Sequence, residues 1–593
     1  MSSTHASVPV PDPDSGPAFD AGAAEQRVRE LVAVPDGGEA LGRAAELAAA
    51  ARLSHRDLLD LWPTAADPDA YCATVLAPAL VREGVSRLSL YGVTSLRGLR
   101  HLTMLRELTV FRCKELTDIT ELAALTGLVE LDLDGCAGIH DLTPLSGLTA
   151  LTSLTLHRCR AVEDTRPLLT LRRLQHLDLS MTRVRSAAGF GAAFPDLHTL
   201  SLQGCRSFKD AHQLSGLAGL TDLNIGWTGI RDLDGLSGVD AVTSLDLTSC
   251  KRLTSLKGID ALPRLTELRL EKCTRLTSVD GLGTHPDLDT VRVLECPELR
   301  DLRGLAPLSG LRYLNLDTCE QLASLAGLEA LTSLAILHIE ACPRVTDLSP
   351  LDGLPDLSLL HLTDLDGLRD LTSLGTLPAL ENLSLWKCRT LRGLHGPDGR
   401  LPRLEELRVQ DCPSLAALDH VGELPALKKA EVSDCAVLAD VSGLAGSPVR
   451  ELELADLPVL TDLAAVAELP RLRTLRIYRC PGVRTVPAEG CERVLLLDVP
   501  WRDLSGLRAG PELRAIELFS DELEDISALT QLPNLTDVDI DFCRTLKDWT
   551  PLLDIPSLER FKPPRYQVYD IESTGGTDPT LEALAARGIT RYE

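Results

Sequence analysis

Leucines recur along most of the chain at a fixed distance, and this spacing organises the whole sequence. Between residues 128 and 150, apolar side chains fall at positions 128, 131, 133, 139, 142, 145 and 148, with Cys136 in the middle. Such units can be aligned from residue 105 onward, and most of them repeat at an identical spacing of about 23 residues, a period typical of repeat architectures. In these architectures each unit contacts only its neighbours. The pattern therefore predicts a solenoid.

The alternation inside each unit predicts a strand on one side of that solenoid. Leu245 and Leu247 are expected to point inward and Asp246 outward, because side chains alternate along a strand. Strands of successive units should then pair in parallel. On the opposite side, Asp141 precedes Pro144 at the start of a short helical turn, where a carboxylate caps free N–H groups and proline loses no hydrogen-bond donor.

One cysteine occupies the same position in most units. Fourteen of the sixteen cysteines lie there: Cys113, Cys136, Cys159, Cys205, Cys250, Cys273, Cys296, Cys319, Cys342, Cys388, Cys412, Cys435, Cys480 and Cys543. Cysteines that occur singly, without a CxxC pair, are typical of small buried hydrophobes rather than zinc ligands or redox centres. Thiols in one column of a parallel ladder point the same way, which disfavours bridging. We expect buried, unbridged thiols and a reducing cytoplasm.

The pattern LxxLxLxxC, followed by further leucines, resembles the leucine-rich repeat over about residues 85–560. It is most similar to the internalin-type and phosphatase-regulator repeats, although cysteine stands where those usually have asparagine and one residue is inserted after it. The resemblance implies an α/β solenoid of about 21 repeats, a horseshoe or arc with parallel β-strands on the concave face and short 3₁₀, helical or extended segments on the convex face. It also implies a bacterial protein similar to the sensor arrays of NACHT-type proteins.

The ends of a repeat array need caps with a polar outer surface, because an open end exposes an apolar layer. We predict four segments: a disordered tail at 1–22, a helical N-terminal cap at 23–84, the solenoid at 85–557 and a C-terminal cap at 558–593.

Helix-start and helix-stop residues mark both caps. Residues 54–57 form a capping sequence, residues 67–68 begin a second helix, and Gly84 ends it. Residues 578–588 are predicted to form a short helix in the C-terminal cap.

Two units depart from the regular spacing. Residues 395–399 form a turn-rich insertion, and the unit that begins at residue 472 is shortened around residues 487–490. The following strand, at 494–497, is apolar on both faces. We expect a change of curvature and a candidate docking surface there.

Charge and motifs limit the classes of function. The formal net charge of −26 argues against nucleic acid and anionic membrane surfaces as partners and favours a protein. No apolar run long enough to span a bilayer and no secretory signal occurs, so we predict a cytoplasmic protein that does not enter a membrane. The sequence has no Walker A, HExxH or GxSxG motif. We therefore predict no catalytic residues, no cofactor and no metal; the oligomeric state stays open.

The predicted outward face carries aromatic residues and one cluster that predicts partner binding. Its aromatics are Phe111, Trp227, Tyr313, Trp386, Tyr478, Phe519 and Phe542. The candidate partner-binding residues are Arg269, Arg292, Tyr313, Ile336, His338, Leu359, His361 and Trp386. They combine an apolar strip with a basic and histidine edge in an acidic molecule. Such a strip suits an acidic, aromatic segment of another protein.

Two other clusters are alternative candidates for a functional site. His338 and His361, with Glu340 and Asp364 nearby, could hold a metal, but two histidines supply only half of a typical ligand set. The acidic residues at 537, 539 and 541, next to Phe519 and Phe542, are expected to be a solvated strand face rather than a binding surface.

The sequence therefore favours a non-catalytic scaffold that recognises a protein partner through the concave face. The alternative is a regulatory or sensor subunit of a signalling enzyme, such as a NACHT/STAND-type ATPase, a kinase or a phosphatase. A catalytic site in the N-terminal cap around His55, Asp57 and Cys72 is the weakest hypothesis.

Overall fold

The computed structural model describes residues 21–35, 37–395, 401–419, 421–573 and 577–592. The predicted disordered tail lies outside these residues except at its end, where Ala21 already begins a helix. The predicted insertion also lies outside them, apart from His395. The chain forms two compact units, one that extends to Thr228 and includes Ser237–Val239, and one made of Gly229–Leu236 and the residues from Asp240 onward.

The first unit begins with a helical cap, as the sequence predicts. Its helices are α1 (Ala21–Val32), α2 (Gly38–Ala50), α3 (His55–Leu61), α4 (Pro68–Tyr71), a π-helical turn (Cys72–Leu76) and α5 (Ala77–Glu83). The predicted capping sequence is present, because Ser54 and Asp57 each accept from the backbone N–H of the other at the start of α3. Gly84 ends α5 in the left-handed conformation, with φ of 67°.

The cap packs closely on the first repeat. The Trp62 indole donates to the Arg97 carbonyl at 3.1 Å, and Asp69 accepts from Arg100 at 2.6 Å. A Cβ on Gly98 would lie 2.5 Å from the Pro68 carbonyl oxygen, so only glycine fits at this contact. The apolar layer of the first repeat is thereby covered.

The rest of the first unit is a parallel sheet whose strands follow one another in chain order. These strands are β1 (Arg87–Tyr91), β2 (Glu107–Phe111), β3 (Glu130–Asp132), β4 (Ser153–Thr155), β5 (His176–Asp178), β6 (Thr199–Ser201) and β7 (Asp222–Asn224). From β2 to β7 every register step has the same length, as from Glu107 to Glu130 and from Glu130 to Ser153. The return segments are 3₁₀ turns at Leu99–His101, Thr120–Ala124, Thr143–Leu145, Arg166–Thr170 and Ala211–Leu214 and a helical turn, α6 (Phe190–Ala193).

The second unit continues the same plan. Its strands are β8 (Ser244–Asp246), β9 (Glu267–Glu271), β10 (Thr290–Leu294), β11 (Tyr313–Asp317), β12 (Ile336–Glu340), β13 (Leu359–Thr363), β14 (Asn382–Trp386), β15 (Glu406–Gln410), β16 (Lys429–Ser433), β17 (Glu451–Ala455), β18 (Thr474–Tyr478), β19 (Val486–Ala488), β20 (Arg493–Leu497), β21 (Leu507–Ala509), β22 (Ala515–Phe519), β23 (Asp537–Asp539), β24 (Arg560–Lys562) and β25 (Thr590–Arg591). Its 3₁₀ turns are Ile259–Ala261, Arg303–Leu305, Leu328–Ala330, Ser349–Leu351, Val421–Glu423, Ser442–Leu444, Ala464–Glu468, Ser527–Gln531 and Thr550–Asp554.

In the shortened repeat that begins with β18, the return segment differs from that of other repeats, whereas the pairing in the main sheet continues. The register step from β18 to β20, between Thr474 and Arg493, is shorter than the preceding step from Glu451 to Thr474. β19 and β21 form a separate parallel pair, in which Val486 faces Leu507. A short strand pair thus replaces the usual 3₁₀ turn where the sequence predicts an irregularity.

The core of the repeats is built of stacked leucines, and most repeats add a buried cysteine directly after the strand. All sixteen cysteines are free and buried. The thiol of Cys136 donates to the Val110 carbonyl at 3.1 Å, and that of Cys159 donates to the Leu133 carbonyl at 3.1 Å. In both cases the acceptor belongs to the second inward residue of the preceding repeat, so the thiol links consecutive repeats.

The start of each return segment also follows the predicted chemistry. Asp141 accepts from the Thr143 N–H at 2.9 Å, and Asp347 accepts from the Ser349 N–H at the same distance. The carboxylate therefore satisfies a free donor at the beginning of the 3₁₀ turn.

The C-terminal segment contains more structure than the sequence predicts. Helix α7 (Arg565–Ser573) precedes α8 (Pro579–Ala586), and β25 pairs with β24 at Thr590 and Arg560. Only α8 is anticipated by the capping residues, since Asp578 accepts from Thr580 N–H at 2.7 Å. α8 ends at Ala586, with Gly588 left-handed at φ of 78°.

Candidate partner-binding face

The parallel register arranges the outward side chains of the second unit in three columns. On β11 the three columns are represented by Tyr313, Asn315 and Asp317, in that order. Leu314 and Leu316, which alternate with them, are buried. We call the three columns the first, second and third outward columns. Neighbouring side chains within a column lie one strand apart, at about 4.8 Å.

The first column brings the predicted apolar residues together. Tyr313 pairs with Ile336 and Ile336 pairs with Leu359, so the three side chains occupy consecutive strands. Each is partly exposed. Thr290 and Asn382 bound this strip in the same column.

The two predicted histidines lie side by side in the second column. The ring centroids of His338 and His361 are 4.6 Å apart, and the His338 ring lies 5.6 Å from that of Tyr313. Burial lowers the pKa of both imidazoles below 6.5; His361 lowers that of His338 further, and Arg408 that of His361. At neutral pH these rings are therefore uncharged and extend the apolar strip.

Trp386 lies on β14 in the third column, one strand beyond His361 and one column across. Its indole is 40% exposed, and the ammonium of Lys387 lies 4.4 Å from the ring centroid. We call the six residues Tyr313, Ile336, Leu359, His338, His361 and Trp386 the Tyr313 patch.

The predicted basic edge is partly neutralised. Arg269 contacts the Glu267 carboxylate at 2.9 Å, and Arg292 contacts the same carboxylate from the next strand. Arg292 also lies 5.5 Å from the Tyr313 ring centroid. The two guanidiniums are thus near the patch, but they share a counter-ion, so the expected attraction for an acidic segment is reduced.

Three features together decide the fold. They are the inward leucines, the parallel strands that pair at intervals of one repeat, and the hydrogen bonds from cysteine thiols to carbonyl groups of the preceding repeat. It is the leucine-rich-repeat fold. The predicted solenoid with short 3₁₀ return segments and an N-terminal helical cap is confirmed. The predicted bacterial origin and the similarity to NACHT-type sensor arrays stay predictions.

Solved leucine-rich-repeat structures are similar to this chain. A leucine-rich-repeat protein of Leptospira interrogans shares 19% identity over 65% of this chain and 87% of that one, with a TM-score of 0.41. An internalin of Listeria monocytogenes shares 18% over 71% and 93%, with a TM-score of 0.25. A chain of the TLR13–ssRNA13 complex shares 18% over 80% and 83%, with a TM-score of 0.33. No family model matches the chain, and no curated protein matches it. The strand register, and not these similarities, defines the fold.

The leucine-rich-repeat face offers little support for a metal site at the histidines. Within the residues that the structure describes, no group of three or more His, Cys, Asp or Glu side chains is arranged to hold a metal ion. Glu340 lies in the third column beside Asp317, and burial, Asp317 and Asp364 raise its pKa. Asp317 and Glu340 therefore repel each other in the third column.

The candidate residues of the N-terminal cap each have a structural partner. His55 Nδ1 lies 2.6 Å from Glu83, and Asp57 belongs to the capping box of α3. Cys72 is fully buried, and burial raises the pKa of its thiol to about 12. His55 and Asp57 thus have structural contacts, and Cys72 belongs to the buried core of the cap.

The expectation that the acidic residues at 537, 539 and 541 form a solvated strand face is wrong for two of them. Asp539 is 8% exposed and Asp541 is 2% exposed. Asp541 accepts from Arg565 at 3.0 Å and 2.5 Å and contacts Lys562 at 3.3 Å. Arg565, at the start of α7, and Lys562, on β24, supply the counter-ions.

One exposed aromatic pair lies in the first unit and was only half anticipated. Tyr91 is 70% exposed, pairs with Phe111 across β1 and β2, and has its ring centroid 6.0 Å from the Phe111 ring. Alternation along β1 places Tyr91 at an outward position, so the sequence pattern is a signal that could have identified it. The pair lies outside the Tyr313 patch and offers a matched control for it.

Within the described residues, no helix has the length and apolar composition needed to cross a bilayer.

Proposed function

We propose that this leucine-rich-repeat protein is a non-catalytic scaffold that recognises a protein partner through the outward face of its parallel sheet, at the Tyr313 patch. The observation that carries the proposal is the register: Tyr313, Ile336 and Leu359 occupy one column on three consecutive strands, partly exposed and next to two uncharged imidazoles. Aromatic side chains and apolar neighbours of this kind are enriched at the centres of protein interfaces.

The backbone of the patch supports recognition without rearrangement. β11 to β14 pair residue by residue along their whole length. A side chain on a paired strand keeps its direction when a partner arrives, so binding costs little conformational entropy. A strip on continuously paired strands suits a folded or extended protein segment with apolar and aromatic side chains.

Apolar contact is the proposed source of affinity, rather than charge. Glu267 already contacts both Arg269 and Arg292 at the edge of the patch. The partner therefore needs aliphatic or aromatic anchors more than it needs acidic residues.

The proposed partner is a protein and not a nucleic acid. The net charge of −26 repels phosphate backbones, whose binding depends on clustered Lys and Arg. The TLR13 structure is described as a complex with single-stranded RNA, so the leucine-rich-repeat fold by itself does not exclude RNA. A labelled single-stranded RNA therefore belongs in the binding test as a competitor class.

Affinity purification from the cells that produce the protein tests the proposal. The wild type is compared with the triple variant Tyr313→Ala, Leu359→Ala, Trp386→Ala and with the control Tyr91→Ala, Phe111→Ala. The triple variant should lose the partner and the control should keep it, because each central anchor contributes about 2 kcal/mol, or about thirtyfold in Kd. Equal thermal unfolding of all three proteins shows that the fold is intact.

A partner retained in full by the triple variant would contradict the proposal, as would RNA binding that depends on the same residues. If the recovered partner is a kinase, phosphatase or ATPase whose rate changes on addition of the scaffold, the protein acts as a regulatory subunit through this face.

A further inference from the structure

We propose that the second unit carries a second, separate recognition site, an apolar hollow with an acidic rim that takes a basic, amphipathic segment of another protein. The hollow is lined by Tyr478, Leu495, Leu497, Phe519 and Phe542 and has a volume of about 550 Å³. We call it the Phe519 hollow. This site goes beyond the Tyr313 patch, with which it shares none of its lining residues.

The strand register builds the apolar floor of the hollow. Tyr478 pairs with Leu497 and Leu497 pairs with Phe519, so the third outward column is apolar over three consecutive strands. The Phe519 ring centroid lies 5.4 Å from that of Phe542, which is 40% exposed. Leu495 adds an aliphatic side chain in the second column.

Packing of the core does not account for these outward side chains. On β20, Val494 and Leu496 point inward and are buried, whereas Leu495 and Leu497 alternate with them and remain partly exposed. The flanking residues in the second column are charged, namely Arg476 and Glu517. Two outward leucines on one strand therefore form a local apolar surface of the kind that binds partners.

Acidic groups surround this floor. Asp498, Glu517 and Asp521 line the hollow together with the single guanidinium of Arg544. Arg544 contacts Asp521 at 3.5 Å, and Arg493 lies 3.8 Å from Glu517. The Asp456 carboxylate, which contacts the Arg479 guanidinium at 2.5 Å, raises the pKa of Arg479, and Asp498, which follows β20, raises it further. The rim is therefore acidic on balance, inside a chain of net charge −26.

The chemistry of the hollow selects the class of ligand. A cavity of this size accommodates two or three aliphatic or aromatic side chains, and the carboxylates at its edge favour Lys or Arg on either side of them. An acidic segment would place like charges together and would be rejected. The ligand predicted for the Phe519 hollow is therefore basic. The sequence predicts an acidic segment for the Tyr313 patch, so the two ligands differ in charge.

A phage-displayed library of random dodecapeptides, selected on the full chain at about 150 mM NaCl, is the probe. Peptides that bind the hollow should carry a net positive charge and at least two Leu, Phe or Trp residues. Synthetic fluorescein-labelled copies then give Kd by anisotropy. Leu497→Ser, Phe519→Ser should weaken their binding at least tenfold, and Glu517→Gln, Asp521→Asn should weaken it severalfold at low salt.

Two controls keep this test independent of the proposed function. The Tyr313→Ala, Leu359→Ala, Trp386→Ala variant should bind the same peptides as well as the wild type does. Phe542→Ala removes an exposed ring. It replaces the double serine variant in the binding test if that variant melts at a lower temperature than the wild type. The inference is overturned if no peptide is enriched, if the enriched peptides are acidic, or if their binding survives loss of Phe519 and Phe542.

Discussion

The residue before the repeat cysteine, or before its substitute, adopts a left-handed backbone in most repeats. The non-glycine examples have φ between 47° and 59°: Arg112, Arg158, Met181, Trp227, Ser249, Lys272, Glu295, Thr318, Ala341, Asp364, Lys387, Asp411, Asp434, Asp456, Arg479 and Asp498. Gly135 and Gly204 occupy the same position with φ of 75° and 79°. The turn directs the next side chain into the core directly after the strand. Because L-residues are strained in this region of φ and ψ, each such non-glycine residue lowers the free energy of unfolding.

Exchanging alanine and glycine at this position should change stability in opposite directions. Ala341→Gly should raise the free energy of unfolding by about 1 kcal/mol, since glycine adopts the left-handed region without steric conflict. Gly135→Ala should lower it by a similar amount, because the new Cβ would lie 3.3 Å from the Arg112 Cα. Urea unfolding measures both changes. A stabilising Gly135→Ala would show that the strain is absent.

The paired imidazoles of the patch make stability depend on pH. The pKa values of His338 and His361 in the folded protein lie below 6.5, so the unfolded chain binds more protons once the pH falls below that value. The free energy of unfolding should therefore decrease as the pH falls from about 7 to about 5.

The variant His338→Asn, His361→Asn should lose part of this pH dependence, since asparagine does not titrate and Asn315 already occupies the same column. His176→Asn, at an exposed position on β5, is the control. Melting temperatures at half-unit pH steps give the comparison. An identical pH profile for the double variant and the wild type would refute the argument.

At the same scale, the sequence predicts inward and outward residues well and backbone conformation poorly. The leucine and cysteine positions follow from alternation along each strand. The left-handed position does not, because residues other than glycine, such as Asp, Arg and Lys, stand there far more often than Gly and leave no compositional mark. The ion pair between Arg269 and Glu267 could have been predicted from the sequence, since residues two apart on a strand lie on the same face.

At the scale of the element, the repeat cysteine links most of the repeats that contain it to the repeat before. Cys205 donates to the Leu179 carbonyl at 3.2 Å, and Cys543 donates to the Leu518 carbonyl at 3.1 Å. Burial raises the pKa of the Cys136 and Cys543 thiols to about 12. A thiol that is buried and protonated is a poor nucleophile.

The native protein should therefore resist thiol reagents. Ellman's reagent at pH 8 should modify none of the sixteen cysteines within minutes, and all sixteen in about 6 M guanidinium chloride. The expected difference reflects burial and not oxidation, because reduced protein gives the full count after unfolding. Fast reaction of several thiols in the folded protein would show that the cysteine column faces solvent.

Elements governed by local repetition are predicted from sequence, whereas those that depend on distant contacts are not. The strands and the capping box of α3 follow from nearby residues. Helix α7 and the burial of Asp541 do not, because they require the C-terminal segment to fold back onto β23 through Arg565. Alternation identified Asp541 as outward, but it could not reveal what covers it.

At the scale of the whole molecule, charge and surface chemistry differ from place to place. The chain has a net charge of −26, yet the guanidiniums near the Tyr313 patch already have a carboxylate partner, while the Phe519 hollow keeps an acidic rim. The sequence located the first cluster through its aligned residues. It suggested the second only as a strand that is apolar on both faces, since the hollow also needs Phe519 and Phe542 from later repeats.

Site-specific photo-crosslinking tests the central claim most directly. The photoreactive amino acid p-benzoylphenylalanine replaces Ile336 in the middle of the patch, and in a second protein it replaces Glu329 on the 3₁₀ turn of the preceding repeat. Irradiation of cells that make the Ile336 probe should give a covalent adduct with one protein partner, and adding Trp386→Ala should remove it. Adducts formed only from position 329, or none from position 336 in cells where the partner co-purifies, would contradict recognition through the outward face of the sheet.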